Sequence, residues 1–353
     1  MTICYFGDYD PAYNRTKVIL RGFRAMKIQV IECREAGTRG FALYRALWRK
    51  HRACRGKYDL LFVGYGNARL LPVFARFITR TPVIWDALYS LYDNWIFDRK
   101  LAQPHGAKAY WYWLVDWLGC FASTLVILDT RANIKYFEHT FGFPARKFAR
   151  VLVGADTETF RPCERSAAEG PFEVEFHGKY IPVQGTDVLV RAAKLLENDD
   201  VHITMIGGGQ DCAKTKNLAA ELDVRNVTFL PTLPLAEIPG YVRRADASIG
   251  LLGDVPRVAR AIPNKLYEAA AMARVAVNAD TPAVREVFTP GASVVVVRAG
   301  NPEDVASALR ALKTSGKAAA MGQVAYEEFI RHCGSGAIVA QLTEALRRIR
   351  VYL

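Results

Sequence analysis

The sequence predicts an α/β protein of two tandem domains, each a parallel sheet covered on both faces by helices. Three observations predict it. Short apolar runs alternate with helix-length amphipathic segments, the pattern of strands buried on both faces and joined by crossover helices. The alternation halts at a polar stretch, Glu164 to Gly170, and then restarts. A chain of 353 residues is too long for one ordinary core and suits two of α/β size.

In the first domain, Ile3 to Gly7 reads as a buried strand ending in the turn-rich loop Gly7-Asp8-Tyr9-Asp10-Pro11, and an amphipathic helix follows from Asn14 to Met26. Gln29 to Cys33, Leu60 to Gly64, Val83 to Trp85 and Leu125 to Leu128 continue as short apolar strands, with helices near 40–54, 67–78 and 107–122 between them. Asp86 ends the fourth strand, at the rim where parallel sheets bind ligands; capping a helix is its alternative role. Phe148 to Val153 makes a sixth strand, and Gly154 to Pro162 is an irregular exit. The boundary is expected between residues 165 and 166.

The second domain repeats the scheme. Phe172 to Phe176 is a strand, His177 to Gly185 a loop and Thr186 to Asn198 a helix. His202 to Ile206 is closed by Gly207-Gly208-Gly209, read as a turn because the Gly-x-Gly-x-x-Gly spacing of a dinucleotide fingerprint is missing. A helix to Leu222, strand Val227 to Leu230, helix Leu235 to Arg244 and strand Ala247 to Leu251 follow. Ile262-Pro263-Asn264 then opens a short helix, and the strand Val275 to Asn278 comes directly after it. Val294 to Val297, a helix over 302–314 and two terminal helices complete the chain. The domains are expected at 1–165 and 166–335, with the helix in 336–353 packing back toward the first.

The helix opened by Pro263 carries the chemistry. Lys265, near a helix N-terminus, can meet phosphate together with free backbone N–H groups, and Glu268 one turn on can accept hydrogen bonds from sugar hydroxyls. The alternative is an i,i+3 ion pair on a capped surface helix.

Composition narrows the class. Hydrophobic residues make up 51% and charged residues 23%, ordinary globular values. No apolar run reaches the roughly 18 to 20 residues of a membrane-spanning helix, and the N-terminus lacks signal-peptide order, so a cytoplasmic protein is expected. The seven cysteines are scattered without a Cys-x-x-Cys pair, which suggests neither a disulfide framework nor a zinc site. The net charge of +12 lies wholly in the first half: residues 1–165 hold 26 Lys and Arg against 14 Asp and Glu, whereas residues 166–353 hold 21 of each. Such asymmetry points to an anionic partner of that half. Residues 45–57 gather basic side chains around Trp48, and 110–118 gather aromatics in a helix; a peripheral contact with an anionic membrane is expected there, against the alternatives of a solvated face and a packed core.

The ensemble resembles the retaining glycosyltransferases of glycosyltransferase family four, which have the GT-B fold of two Rossmann-like domains facing a cleft. The family's Gly-Asp-x-Asp start, Asn-Gly-Val-Asp-x-x-x-Phe-x-Pro exit, Gly-Arg-x-x-x-x-Lys-Gly loop and paired-glutamate helix have counterparts in Gly7-Asp8-Tyr9-Asp10, Gly154 to Pro162, Gly178 to Gly185 and the helix bearing Glu268. The resemblance implies transfer of a sugar from a nucleotide-diphosphate donor, with retention, to a glycan or lipid-linked acceptor. It implies donor contacts at Gly178, Lys179, Gln184, Arg260 and Glu268; Thr232, Asn264, Lys265 and Leu266 complete the expected donor site, and Lys265, Lys179 and Asp86 are the expected catalytic residues. The family's loop cations fall on Lys179 and the uncharged Gln184. The first glutamate of the pair is replaced by Arg260, and Asp86 stands where many members have a histidine. Lys265, Arg260 and Lys179 are expected to make up the missing charge.

Asp8-Tyr9-Asp10 fits the Asp-x-Asp pattern that holds a divalent metal in some sugar transferases, but paired carboxylates in a Gly/Pro loop are commonplace, and neither metal nor cofactor is expected. No nucleic-acid partner is expected. A non-catalytic subunit of the same fold and a sugar-nucleotide epimerase are the alternatives; the epimerase needs acid/base groups around the sugar, and His177 alone of the six histidines lies beside the donor motifs.

Overall fold

The computed structural model describes residues 1–162 and 170–349, so the boundary expected at 165/166 lies outside the described residues. The chain divides into two compact units, Met1–Gly154 with Cys333–Leu353, and Ala155–His332.

The first unit runs β1 (Thr2–Gly7), α1 (Asn14–Ala25), β2 (Gln29–Arg34), α2 (Gly40–Cys54), β3 (Leu60–Val63), α3 (Leu71–Ile78), β4 (Val83–Leu88), α4 (Ala107–Ala122), β5 (Leu125–Leu128), α5 (Arg131–Phe141) and β6 (Phe148–Arg150). Its sheet is parallel, in the order β2-β1-β3-β4-β5-β6. Alternate residues of β1 serve opposite faces. Cys4 and Phe6 join Leu43 and Leu47 of α2, Ala75 of α3 and Phe137 of α5 in one core. On the other face, Tyr5 and Phe62 meet Phe23 of α1, with ring centroids 6.4 and 5.3 Å from it.

The second unit runs β7 (Phe172–Lys179), α6 (Thr186–Leu195), β8 (Val201–Gly208), α7 (Cys212–Glu221), β9 (Val227–Leu230), α8 (Ile238–Arg244), β10 (Ala247–Ile249), α9 (Asn264–Ala271), β11 (Val275–Ala279), β12 (Val294–Val297), α10 (Pro302–Ser315) and α11 (Ala318–Cys333). Its sheet, also parallel, has the order β12-β11-β10-β7-β8-β9. The last helix, α12 (Ser335–Arg347), returns to the first unit and packs on α1: a Cβ at Gly22 of α1 would lie 2.4 Å from Leu342 Cδ1, so glycine permits the close approach.

Two expectations need correction. β4 runs to Leu88, two residues past Asp86, which therefore lies within the strand. β7 and β8 each reach two or three residues further than their apolar runs, because Gly178 pairs with Gly207 and Lys179 with Gly208. Gly207 is thus a strand residue, with φ of 138° and a would-be Cβ only 1.9 Å from the Gly178 carbonyl oxygen. The missing fingerprint spacing left a turn as the expected role of Gly207 to Gly209, whereas Gly207 lets two backbones close together.

Candidate active site

The end of β7, the turn after it and the start of α9 bring five of the expected donor residues together. Gly178 and Lys179 end the strand, and Gln184 closes a 3₁₀ turn at Pro182–Gln184. That turn is held from beneath by Ile181 and Val183, which pack with Leu251, Val255 and Val258. Gly185 then takes a left-handed conformation, φ 64°, and leads into α6; a Cβ there would lie 2.5 Å from the Gly253 nitrogen.

α9 is not the surface helix of the alternative reading, since Lys265 to Ala271 are all buried. Pro263 fixes its entry, and no side chain caps its first N–H groups. Lys265 Nζ donates a 2.6 Å hydrogen bond to Gln184 Oε1 and lies 3.6 Å from the centroid of the Phe176 ring. Burial pulls the Lys265 pKa well below the usual ammonium range, against the opposing pull of Glu175 and Glu268. The position expected to carry a second loop cation instead carries the acceptor that orients Lys265.

Glu268 is joined to a residue that sequence reasoning had placed only in its neighbourhood. His177 Nε2 lies 2.7 Å from Glu268 Oε2, and its Nδ1 bonds Glu175. The second Glu175 oxygen accepts from Ser248 Oγ at 3.0 Å. Burial works against a charged His177, but the Glu175 and Glu268 carboxylates outweigh it and raise the ring to about 10. At neutral pH both ring nitrogens therefore donate, and one cation is shared between two buried carboxylates.

The other expected residues are placed less centrally. Thr232 is exposed, and its hydroxyl is 3.5 Å from where a Cβ on Gly208 would stand. Arg260 ends a 3₁₀ turn before α9 and is half-buried, as is Asn264; Leu266 faces the core with 2% exposure. Asp86 belongs to the first unit, where it is fully buried and held by Arg15 of α1, Nη2 to Oδ1 at 2.8 Å and Nε to Oδ2 at 3.0 Å. It has no face open to a ligand in this arrangement, and the role its geometry supports is neutralising Arg15.

Asp8 and Asp10 serve their own loops. Asp8 Oδ2 accepts from the Asn67 and Ala68 backbone, and Asp10 Oδ1 from that of Ala12. Both border a cavity of about 710 Å³ at the ends of β1 and β2, lined also by Arg34, Glu35, Arg39 and Asn67. Among the described residues, the side chains close enough to share one ion are Cys4, Cys33 and Cys54, buried thiols from β1, β2 and α2 that no sequence spacing linked.

Residues 171–315 match the family model described as "Glycosyl transferases group 1". The D-inositol 3-phosphate glycosyltransferase of Nocardia farcinica is 30% identical over 204 residues, 53% of this chain and 44% of that relative. The match falls within the second unit and carries the likeness to group 1 glycosyl transferases. Solved structures are similar over almost the whole length: sucrose-phosphate synthase from Thermosynechococcus elongatus has a TM-score of 0.78 at 14% identity, covering 100% of both chains. The Anabaena HepE protein, solved with UDP-glucose, has a TM-score of 0.74 at 16% identity over 98% of this chain and 99% of that one. At such identity these likenesses show the fold, which is GT-B. Set against the curated relatives, the chain aligns with less than half of their length.

Proposed function

We propose that this chain is a glycosyltransferase of family four, which transfers a sugar from a nucleotide-diphosphate donor to a glycan or lipid-linked acceptor, with retention of anomeric configuration, at the cytoplasmic face of a membrane it touches peripherally. The observation that carries the reading is Lys265, a buried lysine at the uncapped start of α9, oriented by Gln184. Glycosyl transfer breaks the bond between the anomeric carbon and the phosphate oxygen while positive charge grows on the sugar and negative charge on the diphosphate. Lys265, Lys179 at the strand end and the first N–H groups of α9 stabilise the leaving diphosphate, with Arg260 four residues before the helix adding charge. The acceptor hydroxyl attacks from the face the diphosphate leaves, and its proton passes to the departing phosphate oxygen. Glu268 receives the ribose hydroxyls. The first-unit cavity beside Asp8 and Asp10 suits a polyhydroxylated acceptor.

The nucleotide in the Anabaena structures makes UDP-sugars the first donors to try. A thermal-shift panel of sugar nucleotides is the test, because a donor at a hundred times its dissociation constant adds ~2.7 kcal/mol of stability. A stabilising donor is then incubated with candidate acceptors and the product anomer read by NMR. A product of inverted configuration defeats the retaining mechanism, and stabilisation by no sugar nucleotide defeats the reading as a whole.

A further inference from the structure

Among the described residues, the exposed aromatic side chains are Phe41 and Trp48 on α2, Phe77 on α3, and Tyr110, Trp111 and Phe121 on α4. All six therefore belong to three helices of one unit. These helices form one layer: α2 and α3 share a core beneath, Tyr44 of α2 meets Phe74 of α3 at 5.2 Å between ring centroids, and α3 packs on α4. Phe77 is 84% and Phe41 83% exposed, and it is the gathering of exposed rings on neighbouring helices, rather than any one of them, that marks an interaction surface.

The charges on this layer are of one sign. Arg45, Arg49 and Arg52 on α2 and Arg76 on α3 are exposed, and Arg80 follows α3. The sole acid on the three helices is Asp116, which is fully buried and accepts from Ser90 Oγ at 2.7 Å. On α2 the residues Phe41, Arg45, Trp48 and Arg52 recur at spacings of four, three and four, so they share a stripe, and the Arg52 guanidinium lies 5.0 Å from the Trp48 ring centroid. The other half of the aromatic sequence faces inward: Trp113 donates to the Thr140 carbonyl at 3.0 Å and packs with Trp117 on the core.

We propose that the outer face of α2, α3 and α4 docks on an anionic lipid bilayer. Phe41, Trp48, Phe77 and Tyr110 or Trp111 enter the headgroup boundary, and the arginines among them meet lipid phosphates while their aliphatic stems lie along the apolar layer. Each such cation is worth about fivefold in partitioning to an anionic surface. Large apolar rings alternating with cations along the outer side of a helical layer suit a bilayer better than single-stranded nucleic acid, which lies in a basic groove. The inference deepens the glycosyl-transfer reading, on which it rests only in that a docked layer brings a lipid-linked acceptor near the enzyme.

Flotation of the full chain with vesicles, in the absence of any sugar nucleotide, tests it. Phosphatidylcholine vesicles containing phosphatidylglycerol should carry at least tenfold more protein than phosphatidylcholine alone, and added salt should weaken the binding. Phe41→Ser/Trp48→Ser/Phe77→Ser and Arg45→Glu/Arg49→Glu should each cut binding at least tenfold while leaving the thermal shift with a donor unchanged, since no altered residue touches the donor site. Equal flotation on neutral vesicles, no flotation, or full binding by either variant overturns the proposal. So does parent self-association, or RNA retention at physiological salt, that the same substitutions abolish while vesicles are ignored. Failure of every donor to stabilise a chain that still floats defeats the glycosyltransferase reading and leaves the docking layer standing.

Discussion

His177 Nε2 lies 2.7 Å from Glu268 Oε2, tying the end of β7 to the second turn of α9 through a shared charge. Strand end and helix start are the two pieces expected to flank a donor, and the bond sets their spacing before any ligand arrives. With Glu175 on the other ring nitrogen, the imidazolium is the hub of the arrangement. Removing its charge leaves two carboxylates, 2% and 6% exposed, with only the buried Lys265 nearby to offset them among the groups described above.

His177→Gln tests that hub through pH. The ring's ordinary value is 6.5 and the folded protein raises it to about 10, so its stabilising contribution is complete below pH 6.5 and is lost as pH rises through about 10. The difference in Tm between parent and variant should therefore be largest in mildly acidic buffer and shrink steadily toward pH 10. A difference that does not change with pH contradicts a charged hub.

Lys265→Ala should cut kcat by about a hundredfold or more and weaken donor binding less than tenfold, because its charge matters most as the diphosphate departs. Single-turnover kinetics and donor titration read the two quantities separately. Equal losses contradict the leaving-group role. Lys179→Ala should show the same split more mildly, as its exposed side chain competes with water.

Donor binding should also draw a proton from solution. Burial depresses Lys265, and an arriving diphosphate restores its charged form, so at pH values above the depressed pKa the complex takes up a proton and affinity falls as pH rises. Calorimetry in buffers of different ionisation enthalpy measures the uptake. Lys265→Met should abolish it; a variant that binds with undiminished proton uptake assigns the titration elsewhere.

Arg15 and Asp86 offer a control in the first unit. Both are fully buried, and Arg15 also donates to the Leu152 carbonyl at 3.0 Å. Asp86→Leu alone leaves a buried guanidinium uncompensated and should cost ~3 to 5 kcal/mol, whereas Arg15→Met/Asp86→Leu should recover most of that loss. Chemical denaturation of both reads the difference. Turnover retained by the double variant removes Asp86 from the catalytic residues, and turnover lost with stability restored returns it.

What the sequence made legible follows from the range of each signal. Apolar runs and helical periods are local, and most strands and helices fall where those patterns put them, although α5 (Arg131–Phe141) stands where no helix is expected and β6 stops at Arg150, three residues short of its apolar run. Partners are not local. Arg15 sits in an amphipathic helix and reads as a solvated cation, yet its carboxylate is 71 residues away. Gly178 and Gly207 look like loop and turn because nothing in either segment tells of the other's backbone. Gln184 departs from the family's loop by losing a charge, and only the fold shows that its amide oxygen receives Lys265. The family's motifs named candidate residues where periodicity could not, and the fold brings Gln184 to Lys265 and His177 to Glu268.

Glu268→Gln is the sharpest test of the donor site, because the residue has two claims on it. Its Oε2 meets His177, and the proposed function requires the carboxylate to accept from ribose hydroxyls as well. A hydrogen bond to a charged acceptor is worth ~1.5 to 3 kcal/mol, so the amide should lower donor affinity roughly tenfold or more. Lost pairing with His177 lowers Tm whatever else Glu268 does, and Tm alone therefore decides nothing. The ratio of affinities for ribose and 2′-deoxyribose donors decides it. If Glu268 binds the 2′-hydroxyl, the deoxyribose donor already lacks part of the interaction and should lose less on mutation, a coupling of the kind a double-mutant cycle measures. If Glu268 only holds His177, both donors weaken by the same factor and the ratio stays fixed, which would remove it from the ribose contact and leave it as the post that positions the imidazolium.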